Sequence, residues 1–161
     1  MKEKSKKDKK LEELIEGCIQ KKTKAQHLFF KLFYSSLFSI CLRYSNSYEE
    51  AEEILNEGFL KIFANLEKYQ AGGSFEGWLK RIMVNTAIDY YRKHKLNFKI
   101  TNYEDVTDAI LPFEENSALG KMSGDEILVL IQELPPVSRQ VFNLYIFEEY
   151  SHAEIAKMLN I

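Results

Sequence analysis

This chain has almost no cysteine. Cys18 and Cys41 are its two, each on an apolar helical spacing, which argues against a disulfide framework and for reduced packing residues. Proline is nearly as scarce: Pro112 and the pair Pro135-Pro136 leave long stretches open to helix. Glycine forms no phosphate-cradling pattern, and Gly72-Gly73 reads as a turn. His27, His94 and His152 are too dispersed for a metal-ligand spacing, so neither a metal nor a cofactor is expected. No apolar run approaches membrane-spanning length, and the lysine-rich start is not followed by a continuous apolar stretch. A cytoplasmic protein without a membrane partner is the expectation. The carboxylates of 49–57 line a helix with no partner acid, base or metal motif, so no catalytic residue is assigned and an enzyme is not expected.

Net charge of one sign is also lacking, at −2, but the charge is unevenly spread. Residues 1–10 carry six Lys against Glu3 and Asp8. Residues 48–58 carry Glu49, Glu50, Glu52, Glu53 and Glu57 and no base. Residues 78–95 carry Lys80, Arg81, Arg92, Lys93 and Lys95 against Asp89, and residues 98–121 turn acidic again.

Apolar residues are plentiful, and nearly all recur at helical spacing. The fold class expected is all-α. Leu11, Leu14, Ile15, Cys18 and Ile19 mark a first helix. Thr23 is placed to cap a longer one, on which Ala25, Leu28, Phe29, Leu32, Phe33, Ser36, Leu37, Ile40, Cys41 and Tyr44 form one face. Phe30, Tyr34, Phe38 and Leu42 form a second stripe, so this helix should be central in a bundle. Ser47 starts a third helix with Ala51, Ile54, Leu55, Ile62, Phe63 and Leu66 inward, and Gly58 marks a close approach by another helix. Ser74 caps a fourth, from Phe75 to about His94, with Trp78, Leu79, Ile82, Met83 and Thr86 inward. Periodicity fails from Asn97 to Met122, which reads as an acidic linker. Ser123 with Glu126 and Ser151 with Glu154 have capping-box spacing, and Pro136 suits a first helical turn. The expected organisation is a four-helix domain over 10–97, a linker over 98–122 and an incomplete helical domain over 123–161.

Two constellations carry chemistry. Glu49, Glu53 and Glu57 lie on one helical face with Asn56 and Leu60 beside them. Like charges at this spacing repel unless a basic partner docks. The fourth helix has the opposite character: Arg81, Asn85, Asp89 and Arg92 line one side, while Tyr69, Phe75 and Trp78 gather at its start. Bases of an opened DNA strand need rings to stack on, donors for their edges and cations for their phosphates, and this segment offers all three. Trp78 also suits the core, and Asp89 also suits an orienting role toward Asn85 or Arg92.

The stretches "EAEEILNEGFLKIF", "FEGWLKRIMVNTAIDYYRKHK" and "LPPVSRQVFNLYIFEEYSHAEIAKMLNI", in this order and separation, resemble the extracytoplasmic-function class of bacterial RNA polymerase sigma factors. The resemblance covers nearly all of residues 20–97 and 123–161. It implies a sigma region-two domain, a linker and a partial helix-turn-helix domain of region four. Its implied partners are core RNA polymerase, through the β′ clamp coiled coil and the β flap, and promoter DNA, chiefly the −10 non-template strand. An anti-sigma factor is a further partner common in the family. Glu53, Asn56, Glu57 and Leu60 fall where the family grips the clamp, with Asn56 standing where Gln is commonest. Tyr69, Phe75, Arg81, Asn85 and Arg92 fall where the family recognises and melts the −10 element, and the loop from Leu66 to Ser74 falls where a flipped base is captured.

The implied function is promoter-specific initiation with core polymerase. The alternative is a polymerase-binding competitor that does not read promoters. Asn160 and Ile161 read as the turn before a recognition helix for the −35 element, which is expected to follow and is not in the sequence. Without it, Val141, Leu144, Ile155 and Leu159 are expected to be exposed, and 123–161 to be poorly stable unless another surface holds it.

Overall fold

The computed structural model describes residues 6–69, 73–101 and 122–161. Residues 70–72 of the expected capture loop and 102–121 of the expected linker lie outside it. Seven α-helices follow one another among the described residues: α1 (Lys6–Ile19), α2 (Thr23–Tyr44), α3 (Tyr48–Asn65), α4 (Phe75–Thr101), α5 (Gly124–Glu133), α6 (Pro136–Ile146) and α7 (His152–Leu159). A 3-10 turn, Leu66–Lys68, follows α3.

The capping signals place most helix starts. Ser47 accepts from the Glu50 N–H at the head of α3. Ser123 with Glu126 and Ser151 with Glu154 form complete capping boxes at α5 and α7. Pro136 occupies the first turn of α6, where its missing N–H costs nothing. Asn160 adopts the left-handed conformation that ends α7, with φ 54.

Two boundaries differ from expectation. Thr23 does not cap α2: it is the first helical residue, and Lys22 precedes it without a side-chain cap. The fourth helix continues to Thr101 instead of ending near His94, so 98–101 belong to helix and not to a linker. Polar residues at the far end of an amphipathic helix weaken its periodicity before its backbone hydrogen bonds end.

Helix α2 is the axis of the N-terminal half. Phe29 is fully buried and meets Phe33, Phe59, Phe63 and Phe75 at ring-centroid distances of 4.8, 6.5, 5.5 and 6.1 Å. Such tilted and edge-on pairs add to the area they bury. Part of the first apolar face expected on α2 is not core: Leu28 and Leu32 are 57% and 60% exposed. α1, α3 and α4 pack on α2, and this strip stays largely open to solvent. Gly58 does mark a close approach, since a Cβ there would collide with the Met83 thioether of α4.

The C-terminal half sits on the end of α2. A helix leaves its last carbonyls without partners, and here the neighbouring half supplies them. Gln132 Nε2 donates to Leu42 O at 3.0 Å, Asn143 Nδ2 to Arg43 O at 2.8 Å, Gln140 Nε2 to Tyr44 O at 3.1 Å and Arg139 Nη1 to Ser45 O at 2.9 Å. Arg139 is buried and also bonds Asn46 Oδ1 and the carbonyls of Ile131, Gln132 and Leu134. Desolvation holds its guanidinium below the usual arginine range, opposed by nearby Glu50. At the other side, Arg92 Nε and Lys95 Nζ of α4 donate to Met158 O at 2.6 Å and Leu159 O at 3.3 Å, closing the end of α7.

This docking overturns the expected exposure of the C-terminal half. Leu144, Ile155 and Leu159 are buried within the common core and Val141 packs against it, because α6 lies on α2 and α7 on α4. The first half of the chain supplies the wall these residues need.

Arg139→Ala should cost roughly 3–5 kcal/mol, because it orphans carbonyls that no water reaches easily. Arg139→Lys should not rescue it, since a point ammonium cannot span the same acceptors. Calorimetry should show the C-terminal half melting earlier in both; unchanged melting would remove Arg139 from the seam. Tyr44→Phe should act in the opposite direction. The Tyr44 hydroxyl is buried with no hydrogen-bond partner in the protein, so its removal should raise stability by about 1 kcal/mol. A lower melting temperature for Tyr44→Phe would contradict this account.

Candidate functional site

Helix α3 carries the acidic surface. Glu53, Asn56 and Leu60 are exposed, Leu60 by 71%, while Glu57 is half-buried. Their inward neighbours Ile54, Leu55 and Phe59 are core residues, so packing fixes the outward face. The expectation that these carboxylates repel one another without an outside partner does not hold for all of them. Glu57 pairs with Lys61 at 3.0 Å and Lys93 at 3.5 Å, and Glu53 accepts from the Tyr90 hydroxyl at 2.9 Å. The hydrogen bond from Lys61 is the main reason the Glu57 carboxyl is held below its ordinary value. Burial, with the Glu53 hydrogen bond second, pushes the Tyr90 phenol up to about 12. Glu53 is thus held in place by a neutral donor that leaves its charge uncompensated.

A second surface forms where the 3-10 turn meets the start of α4. Tyr69 packs on Phe75 at 5.0 Å and Trp78 at 5.2 Å, and Phe75 stacks on Trp78 at 5.8 Å. The Tyr69 hydroxyl donates to Gly73 O at 2.9 Å, which ties the two sides of the loop together. Ser74 caps the Gly77 N–H at the head of α4. Together Lys68, Tyr69, Gly73, Ser74, Gly77, Trp78 and Arg81 line an open cleft of about 570 Å³. Rings form its wall, and Lys68 and Arg81 place two cations on it.

The expected strand-contacting residues are therefore split. Tyr69 and Arg81 line the cleft with Trp78, while Phe75 packs behind them against Phe29 and Phe33 of the core. Asn85 is exposed one turn beyond Arg81 on the same face. Arg92 lies roughly 16 Å farther along α4 than Arg81, from the helical rise. It is engaged, with Asp89 Oδ1 at 3.3 Å and Met158 O at 2.6 Å. Asp89 orients Arg92 as the spacing allowed, and it also binds Lys61 at 3.4 Å. The pairing of Lys61 and Lys93 was missed by sequence reasoning; Lys61 follows Glu57 by four residues, a spacing that signals a pair on one helix, whereas Lys93 reaches Glu57 from another helix and no local spacing signals it. No group of His, Cys, Asp and Glu among the described residues could hold a metal ion, and no described helix is long and apolar enough to cross a membrane.

Comparison with known proteins sets this geometry in a family. The profile of Sigma-70 region 2 matches residues 29–96, which hold both surfaces, and that of Sigma-70, region 4, matches residues 124–161. The chain is 27% identical over 139 residues to the ECF RNA polymerase sigma factor SigW of Bacillus subtilis, covering 81% of this chain and 74% of that protein. It is 24% identical over 133 residues to SigM of the same organism, covering 82% and 80%. It is 25% identical over 158 residues to the ECF RNA polymerase sigma-E factor of Escherichia coli, covering 91% and 81%. With two region profiles matched in order on an all-helical fold, the chain belongs to the sigma-70 family of RNA polymerase sigma factors, in its extracytoplasmic-function class, whose work is to bind RNA polymerase and initiate transcription.

Proposed function

We propose that this chain docks on core polymerase through Glu53, Asn56, Glu57 and Leu60 of α3, and captures an unstacked base of the −10 non-template strand in the cleft at the start of α4. In this reading Tyr69 and Phe75 offer stacking faces, Arg81 and Asn85 reach base edges or phosphates, and Arg92 extends the basic track along α4. The functional units are 10–97 for docking and strand capture and 123–161 for the polymerase flap and upstream DNA. The observation that carries the reading is the cleft itself: two aromatic rings, Tyr69 and Trp78, backed by Phe75, with two cations and an open mouth, fit a single-stranded base better than a small metabolite. Binding needs no catalytic step, because extrusion of a base is repaid by stacking and by phosphate contacts.

Docking is tested on α3. Glu53→Lys together with Leu60→Ser should weaken binding to core polymerase by roughly 1–3 kcal/mol per desolvated contact. Neither side chain packs in the core, so helicity should be retained. A titration against labelled core polymerase measures the change; parental affinity with parental helicity would remove α3 as the docking face.

Capture is tested on Tyr69. Tyr69→Ala should impair promoter opening by about 1–3 kcal/mol and leave core binding unchanged. Tyr69→Phe keeps the ring and should retain most of the opening. Arg81→Ala should resemble Tyr69→Ala. Permanganate reactivity of unpaired thymines, on a promoter selected with the parent holoenzyme, reports opening. If all three variants open it like the parent, the cleft does not hold the base. If the parent binds core polymerase but opens no promoter at all, the chain acts as a competitor.

A further inference from the structure

We infer that Tyr90 of α4 is a positioning residue for core-polymerase docking: its hydroxyl holds the Glu53 carboxylate in place on α3 without neutralising it, so that the whole charge is presented to a cationic group of the partner. The inference rests on the α3 docking reading above and adds to it a residue from another helix.

The two docking carboxylates are held in different ways. Glu57 lies 3.0 Å from Lys61 Nζ and 3.5 Å from Lys93 Nζ, so two ammonium groups of the chain itself already offset its charge. Among the described residues no cation pairs with Glu53. Its Oε2 accepts from the Tyr90 hydroxyl at 2.9 Å. That bond occupies one oxygen and leaves Oε1 for an outside donor. Asn56 and Leu60 follow three and seven residues on, exposed on the same face, so a partner that reaches one meets the others.

Tyr90 is itself held. Its ring stacks on His94 at 4.1 Å with 27° between the planes, and His94 Nδ1 lies 2.8 Å from Tyr90 O, which fixes the imidazole one turn along α4. The hydroxyl is thereby aimed across the groove at α3. Burial, with the Glu53 bond second, pushes the phenol up to about 12, so it stays a protonated donor well above neutral pH. A lysine at this place would hold Glu53 but cancel its charge, and a phenylalanine would leave it free to swing. An unheld surface glutamate loses rotamer freedom on binding, and that loss lowers affinity. A carboxylate already fixed in the free chain is spared it.

The test is a double-mutant cycle in the full chain, titrated against labelled core polymerase without DNA, so that strand capture plays no part. Tyr90→Phe keeps the ring and its stack on His94, and should melt close to the parent. Its affinity should fall about two- to tenfold, the range for ordering one such side chain. Glu53→Ala should lose more. Adding Tyr90→Phe to Glu53→Ala should change nothing further, because no carboxylate is left to position. Tyr90→Phe should also keep the salt dependence of the parent, whereas Glu53→Ala, which removes a charge, should flatten it. A purely structural tyrosine would act alike in both backgrounds. Parental affinity for Tyr90→Phe beside a weakened Glu53→Ala would overturn the positioning role and leave the docking face standing. An equal loss in both backgrounds would overturn it as well. Parental affinity for Glu53→Ala would remove the docking assignment of Glu53, and the role of Tyr90 with it.

Discussion

The end of α2 is the constraint on which the rest of this molecule depends. That helix is apolar on two sides and runs through the core, so its C-terminal carbonyls emerge in a place poorly served by water. Buried carbonyls without donors cost more than most single contacts return. Gln132, Arg139, Gln140 and Asn143 answer this need together, and answering it brings α5 and α6 onto α2. Once they are there, α7 falls against α4, and its own terminal carbonyls find Arg92 and Lys95. Hydrogen bonding and the burial of Leu144, Ile155 and Leu159 together set how the two halves meet. A seam of this kind is specific in register, because each donor must meet its own carbonyl.

Between the acidic face of α3 and the basic face of α4 runs a line of charges. Glu57 holds Lys61 and Lys93, Lys61 also holds Asp89, and Asp89 holds Arg92. Each pair is partly exposed and contributes little to stability by itself. Their value is positional: the line keeps the basic face of α4 and the acidic face of α3 in fixed relation. It leaves Glu53, Asn56 and Leu60 exposed on α3. A protein with a small net charge can in this way present surfaces of both signs.

Much of the fold was legible because its signals are local. Ser47, Ser123 and Ser151 announce helices through their own side chains, and Pro136 and Asn160 do so through backbone preference. The cleft was legible in its parts, since Tyr69, Trp78 and Arg81 fall within a short stretch, but not in its shape. Arg139, Gln140 and Asn143 were read past. Polar residues on an amphipathic helix look like a solvent face, and nothing in α6 alone says that its polar side is the buried one. The wrong expectation for Leu144, Ile155 and Leu159 has the same origin, because their cover comes from α2 and α4, far away in sequence.

Sequence by itself determined the helices, their caps, the central place of α2 and the residue types that line each surface, because periodicity and capping act over a few residues. It also carried the family, through motifs whose order and spacing survive low identity. Only the tertiary structure decided which polar faces are buried, which cations are free and how one half closes the other. Those outcomes depend on whether a carbonyl or a guanidinium finds its partner across some hundred residues of chain, a distance at which no local pattern holds information.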